Sequence, residues 1–206
     1  MPLPAEDHAY FLALQTRTGW GRTLARFVAW SLLPAPTRIL DVGTGPALAP
    51  ALAAQAGHFA VGLDSDAAML AQRLHPPGVQ AVAEALPFPD GAFGLTLAAN
   101  VLYLLDTPLP ALREMARVTA PGGRVAVLNP SERMSVAAAT ALADERGLSG
   151  LARETLLNLA ARAEARYRWS AADLGALFAR AGLRLRATRL AMGPGLLRWA
   201  WGTRSW

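Results

Sequence analysis

Residues 38–47 constrain the fold more than any other stretch of the chain. They read Arg-Ile-Leu-Asp-Val-Gly-Thr-Gly-Pro-Ala, an apolar run that ends in an acid and meets a tight glycine turn before an alanine-rich helical pattern. This order predicts a strand, a turn and a helix N-terminus, with Pro46 at the first helical position. Because Gly43 and Gly45 have no Cβ, a ligand could closely approach the backbone. Doubly wound α/β proteins bind nucleotides at such a junction.

Strands and helices alternate through the next 80 or so residues. We expect further strands at 59–63, 79–83, 93–99 and 124–128, separated by helical patterns and by turns rich in glycine and proline. This alternation predicts a parallel sheet with crossover helices. Two final strands at 183–192 and 196–202, joined by Gly-Pro-Gly, predict an antiparallel hairpin at one edge. The expected fold is α/β, a Rossmann-like doubly wound sheet of seven mostly parallel strands.

Two segments of the chain predict helices only. Apolar spacing indicates two helices within residues 1–33, interrupted at Thr18-Gly19-Trp20-Gly21. Residues 131–167 also lack the strand–helix alternation, and we interpret them as a helical cap inserted over the strand ends. The length of 206 residues is typical of one domain, so we expect a single domain over 1–206.

Composition limits the possible partners and compartment. The chain has no cysteine and therefore no thiolate metal site, and we expect no metal. Its longest nearly apolar stretch, 92–105, is too short to span a bilayer. The acidic N-terminus is unlike a signal peptide, so we expect a cytoplasmic protein.

The charge is uneven along the chain. The net charge is +5, every basic residue is arginine, and the surplus lies after residue 112. This distribution could form a face for nucleic acid. Scattered arginines on solvated helix faces explain it more simply, because they are not interleaved with aromatic residues as stacking platforms would be. We therefore expect no nucleic acid partner.

Polar residues follow several predicted strands at the same edge of the sheet. Asp41 ends the first strand, Asp64 ends the second, Glu84 follows the third and Asn100 follows the fourth. A carboxylate at the position of Asp64 can accept both hydroxyls of a ribose, because it presents two oxygens to a cis-diol. These residues could therefore line one nucleoside pocket.

Four segments, taken in order, resemble one known family. They are ILDVGTGPA, VGLDSDAAML, AEALPFPDGAF and LREMARVTAPGGRV, all within residues 38–128. Together they are similar to class I S-adenosylmethionine-dependent methyltransferases, in particular to the small-molecule subgroup that resembles the enzymes of ubiquinone and menaquinone biosynthesis. The resemblance implies S-adenosylmethionine as the cofactor, and N-terminal helices over residues 1–33 that fold across it.

The resemblance also implies roles for individual residues. The methionine end of the cofactor would lie along Asp41 and the turn, the ribose on Asp64, the adenine between Ser65 and Met69, and the methionyl amino group at the Asn100 backbone. The complete cofactor-binding set is Asp41, Gly43, Thr44, Gly45, Asp64, Ser65, Met69, Ala83, Glu84 and Asn100. No catalytic residue is assigned, but Tyr10 and Tyr103 are candidates for contact with the cofactor or acceptor.

The chain departs from the family pattern at three positions. The family often has glycine at the position of Ala47, an acid at that of Val82, and aspartate at that of Gly94. Val82 removes a side-chain acceptor for the adenine amine, which would reduce cofactor affinity. The departures at Val82 and Gly94 keep a non-catalytic cofactor-binding module open as an alternative.

The sequence therefore predicts methyl transfer from S-adenosylmethionine to a small, apolar or aromatic molecule. Two alternatives remain open, which are the non-catalytic binding or interaction module and an RNA methyltransferase that uses the arginine-rich second half. The acceptor atom, the use of a general base and the oligomeric state are not determined by the sequence.

Overall fold

The computed structural model describes residues 8–71 and 73–204. Its helices are α1 His8–Arg17, α2 Gly19–Ser31, α3 Leu48–Gln55, α4 Ala67–Ala71, α5 Pro108–Val118, α6 Val136–Glu145, α7 Gly150–Ala165 and α8 Ala171–Arg180, with a 3₁₀ helix at Leu102–Leu104. Its strands are β1 Arg38–Val42, β2 Phe59–Asp64, β3 Gly78–Gln80, β4 Phe93–Ala99, β5 Thr119–Pro130, β6 Leu183–Ala191 and β7 Leu197–Arg204.

The strands form one seven-stranded sheet in the order β3-β2-β1-β4-β5-β7-β6. The first five strands pair in parallel, whereas β7 is antiparallel to both β5 and β6. The chain order reverses between β1 and β4, which is where doubly wound sheets open a crevice for ligands. The predicted fold class, including the antiparallel C-terminal hairpin, is confirmed.

Helices cover both faces of the sheet. Ile39 and Leu40 are fully buried neighbours on β1, and they enter opposite cores because side chains alternate along a strand. Leu40 packs in the core that α5 and α8 complete, and Ile39 packs in the core formed with α2, α3, α6 and α7. Burial on both faces explains why the central strands are almost continuously apolar.

The glycine turn differs from the prediction at its helical end. Helix α3 begins at Leu48, so Pro46 lies in the turn and not at the first helical position. Ala47 precedes the helix in the left-handed conformation, with φ of +64°. This conformation costs an L-residue about 1–2 kcal/mol relative to glycine, which gives a physical meaning to the family's preference for glycine there.

Two strands have bounds that differ from those predicted. Strand β3 ends at Gln80, so Ala83 and Glu84 lie in the following turn. Strand β5 begins at Thr119, before the predicted Pro-Gly-Gly turn, and its register with β4 shifts there. These differences leave the carboxyl ends of β1, β2 and β4 as predicted.

The two predicted helical segments contain helices among the described residues. Helix α1 packs against α2 and α7, and α6 packs against α7. Residues 1–7 of the predicted N-terminal segment lie outside the described residues. Across the described ranges 8–71 and 73–204, no helix has the length and apolar character needed to cross a membrane.

Candidate active site

A cavity of about 770 Å³ opens at the carboxyl ends of β1, β2 and β4. The sheet side of its wall includes Gly43, Gly45, Asp64 and Asn100. The opposite side comes from α1, the start of α2, the end of α6 and one face of α7. The volume falls in the range of small-molecule sites, which is about 300–1,000 Å³.

The glycine turn is held by close packing against its neighbours. Gly43 has φ of +69°, and a Cβ there would lie 2.3 Å from Val101 Cγ2, so only glycine fits. The Thr44 amide donates to Leu63 O at 2.9 Å, and the Thr44 side chain packs over Gly62. Thr44 is therefore buried between β1 and β2, where it anchors the turn and does not line the cavity.

Asp64 connects the turn to the end of β2. Its Oδ2 accepts from the Gly45 amide at 2.8 Å and its Oδ1 accepts from the Asp66 amide at 3.0 Å. Each carboxylate oxygen has a second lone pair, so both ribose hydroxyls could still be accepted. Asp66 has the capping role expected for it, since its Oδ1 accepts from Ala68 N at 2.8 Å.

Asp41 is buried behind the turn and is only 3% exposed. The pKa of its carboxyl is raised from 3.8 to about 7, because burial raises it strongly, the Thr44 hydroxyl lowers it and the charge of Asp64 raises it. The oxygens Asp41 Oδ1 and Thr44 Oγ1 do not reach hydrogen-bond geometry with any described residue. Such a carboxyl would stabilise a positive charge bound nearby.

Asn100 follows β4 in a left-handed conformation, with φ of +58°. Its amide donates to Leu128 O at 2.7 Å, which fixes the residue to β5. Asn100 lines the cavity wall, and its side-chain Oδ1 is buried without a hydrogen-bond partner among the described residues. Buried oxygens are normally paired, so this one fits a ligand that brings a donor such as an ammonium group.

The structure gathers most of the predicted site residues at the cavity and leaves four outside its wall. The residues that line it are Tyr10, Gly43, Gly45, Asp64, Ser65, Met69, Asn100 and Tyr103. Asp41, Thr44, Ala83 and Glu84 do not line it. Ala83 is buried in the core and Glu84 is exposed.

Two of the departures from the family pattern, Gly94 and Val82, lie in different surroundings. Gly94 lies near the amino end of β4, away from the cavity, and a Cβ there would be 2.0 Å from Thr37 Oγ1. An aspartate at this position would crowd Thr37, and Gly94 does not line the cavity. Val82 is 50% exposed in the turn after β3. The effect of Val82 and Gly94 on cofactor affinity stays a prediction.

The helical wall contains residues that the sequence analysis did not single out. On α1, Gln15 Oε1 accepts from Leu48 N at 3.3 Å and so connects α1 to the start of α3. The apolar residues on α7 and before it, Leu148, Ala152, Leu156 and Leu159, line the cavity. Their spacing of four, four and three residues is a helical stripe that could have been recognised.

Comparisons with known proteins agree with this geometry. Residues 40–127 match the family described as "Methyltransferase domain". A demethylmenaquinone methyltransferase of Mycolicibacterium gilvum is 38% identical over 102 residues, covering 48% of this chain and 44% of the relative. That of Thermus thermophilus is 43% identical over 114 residues, covering 50% of this chain and 51% of the relative. Residues 40–127 of this chain are therefore similar to a methyltransferase domain.

Solved structures of similar fold cover more of the chain than these sequence matches do. A chain from the complex of the Haloferax volcanii Trm112 methyltransferase activator with a methyltransferase superimposes with a TM-score of 0.69. The match covers 98% of this chain and 99% of that chain at 17% identity, which supports the fold alone. The chain spans about half the length of the curated relatives that it matches.

Proposed function

We propose that this protein transfers the methyl group of S-adenosylmethionine to a small, apolar or aromatic acceptor. The observation that carries the proposal is that one cavity joins the glycine turn and Asp64 to a wall of apolar helix residues. The first part suits an adenosyl cofactor and the second suits an acceptor with little polar surface.

The residues at the strand ends fit S-adenosylmethionine. Asp64 would accept the ribose hydroxyls, Gly43 and Gly45 would allow close approach of the methionine end, and Asn100 Oδ1 would accept from its ammonium group. Ser65 and Met69 would flank the adenine. The additional roles of Ala83 and Glu84 at the adenine edge stay predictions, as does contact of Tyr10 or Tyr103 with the acceptor.

The bound cofactor supplies an activated methyl group on a sulfonium. The task of the protein is then to place the acceptor in line with that group and to exclude water. Helices α1 and α7 pack against each other over the cavity, so the segment 131–167 would serve as the cap that shapes the acceptor site. The relatives are named for demethylmenaquinone, and a quinone-like ring is the acceptor that we propose to test first.

The cofactor assignment is tested by calorimetric titration with S-adenosylhomocysteine, the demethylated product. Asp64→Ala should weaken its binding by about 1–3 kcal/mol, because two ribose hydroxyls would lose a charged acceptor. Asp66→Ala is the matched control, since its carboxylate caps α4 and the affinity should change little. Absence of measurable binding by the unaltered protein would contradict the proposed function.

The catalytic assignment is tested by mass-spectrometric detection of methyl transfer to a panel that includes a demethylmenaquinol analogue. Transfer to a small acceptor supports the proposal. Tight S-adenosylhomocysteine binding without transfer to any panel member would favour the non-catalytic module, and transfer to RNA would favour the RNA methyltransferase. The cytoplasmic location and the absence of a nucleic acid partner stay predictions, and the oligomeric state is not assigned.

A further inference from the structure

The apolar part of the cavity wall that comes from residues after 140 is here called the acceptor half. It comes from α6, the loop between α6 and α7, α7 itself and the turn after β6, and its residues are Leu142, Leu148, Leu156, Leu159 and Met192. This surface would bind an apolar body by burial. The cavity lining also includes Arg146, the residue that caps the C-terminus of α6.

The acids of the cavity do not neutralise this arginine. The acidic residues that line the cavity within 8–71 and 73–204 are Asp64 and Asp66, both at the end of β2. Their carboxylates already accept from backbone amides of the β2–α4 region. Among the described residues, no carboxylate lines the acceptor half beside Arg146.

Arg146 is also unused by the surrounding structure. Its side chain forms no hydrogen bond or ion pair with any described residue, and the residue is exposed. The nearby acid Asp144 is already paired, with Asp144 Oδ1 at 2.6 Å from Arg153 Nη1. A cation at a helix C-terminus is favourable there, which explains the sign of the charge. It does not explain why an arginine is part of the lining of an apolar cavity.

We propose that the acceptor is an apolar molecule that carries a carboxylate, and that Arg146 binds this carboxylate. The guanidinium presents paired N–H donors that match the two oxygens of a carboxylate. The apolar wall would bind the remainder of the molecule. This inference rests on the proposed function, because it names the class of substrate for the same cavity, and it assigns Arg146 to specificity and not to chemistry.

The test uses the full chain saturated with S-adenosylhomocysteine and two probes that share one ring system, 2-naphthoate and methyl 2-naphthoate. Binding is measured by calorimetry at low ionic strength. We expect the unaltered protein to bind the carboxylate at least about tenfold more tightly than the ester, the scale of one charge-assisted hydrogen bond. Arg146→Gln should remove this preference and Arg146→Lys should retain part of it.

Arg184→Gln is the matched control, because it makes the same charge change at an exposed position on β6, outside the cavity wall. It should keep the full preference for the carboxylate. Equal binding of the two probes, tighter binding of the ester, no binding of either probe, or a preference that survives Arg146→Gln would each overturn the inference. Loss of S-adenosylhomocysteine binding in the unaltered protein would instead overturn the proposed function, so the two failures are distinguishable.

Discussion

Replacement of Asp41 by asparagine should stabilise the protein more at pH 8 than at pH 5. The carboxyl of Asp41 is buried at the end of β1, and its pKa rises from 3.8 to about 7 on folding. The folded state therefore holds the proton more tightly than the unfolded state. The stability that this group contributes is complete below pH 3.8 and is lost as the pH rises through about 7.

The magnitude follows from the two pKa values. Relative to a neutral side chain, the titration of Asp41 lowers the free energy of unfolding by about 4 kcal/mol at pH 8, where the folded carboxyl is ionised. At pH 5 it lowers this free energy by roughly 1.5 kcal/mol, because the carboxyl is protonated in the folded state and mostly ionised in the unfolded state. Asparagine has nearly the same shape and no charge at either pH. The stability gained by Asp41→Asn should therefore be about 2–3 kcal/mol larger at pH 8 than at pH 5.

The assay is urea unfolding followed by far-ultraviolet circular dichroism, with both proteins measured at several values between pH 5 and pH 8. Two further variants test the cause. Asp64→Asn removes a neighbouring negative charge and should lower the pKa of Asp41, so that the stability gained by Asp41→Asn rises at lower pH. Thr44→Val removes a hydroxyl that lowers this pKa and should shift the same rise to higher pH. A stability difference independent of pH would refute the reasoning.

Three further predictions concern the same region. Ala47→Gly should change stability by less than about 1 kcal/mol, because relief of the left-handed backbone offsets the loss of a buried methyl, whereas Ala53→Gly within α3 should cost about 2 kcal/mol; chemical denaturation measures both. Gly94→Asp should cost about 1–3 kcal/mol by crowding Thr37 while S-adenosylhomocysteine affinity is unchanged in calorimetry. Binding of cationic S-adenosylmethionine near pH 6 should release protons, measured by calorimetry in buffers of different ionisation enthalpy, and Asp41→Asn should abolish most of that release.

The sheet edge was predictable because its signals are local. Each strand is a short apolar run in the sequence, so the residue at its carboxyl end can be identified from the sequence alone. Parallel strands bring their carboxyl ends to one edge, so Gly45, Asp64 and Asn100 could be placed together without knowledge of packing. Their common position at the cavity agrees with this reasoning.

The burial of Asp41 and Thr44 was less accessible to sequence reasoning. Thr44 packs over Gly62, a residue on the next strand whose lack of a side chain makes the space. Asp41 is buried at the end of β1, and its burial raises the pKa of its carboxyl. Whether a residue beside a glycine turn faces the ligand or the core depends on such contacts between strands, and local patterns do not report them.

Different structural features form the two halves of the cavity. The strand-end half depends on backbone geometry at Gly43 and on the carboxylate of Asp64, which are fixed by the sheet. The acceptor half depends on the packing of α7, which contributes Leu156 and Leu159 to the cavity wall and contacts α1, α6 and β5. Substitutions on the cavity face of α7 can therefore change the acceptor without altering the sheet or the cofactor contacts. Acceptor preference and cofactor affinity should then vary independently among variants of this domain.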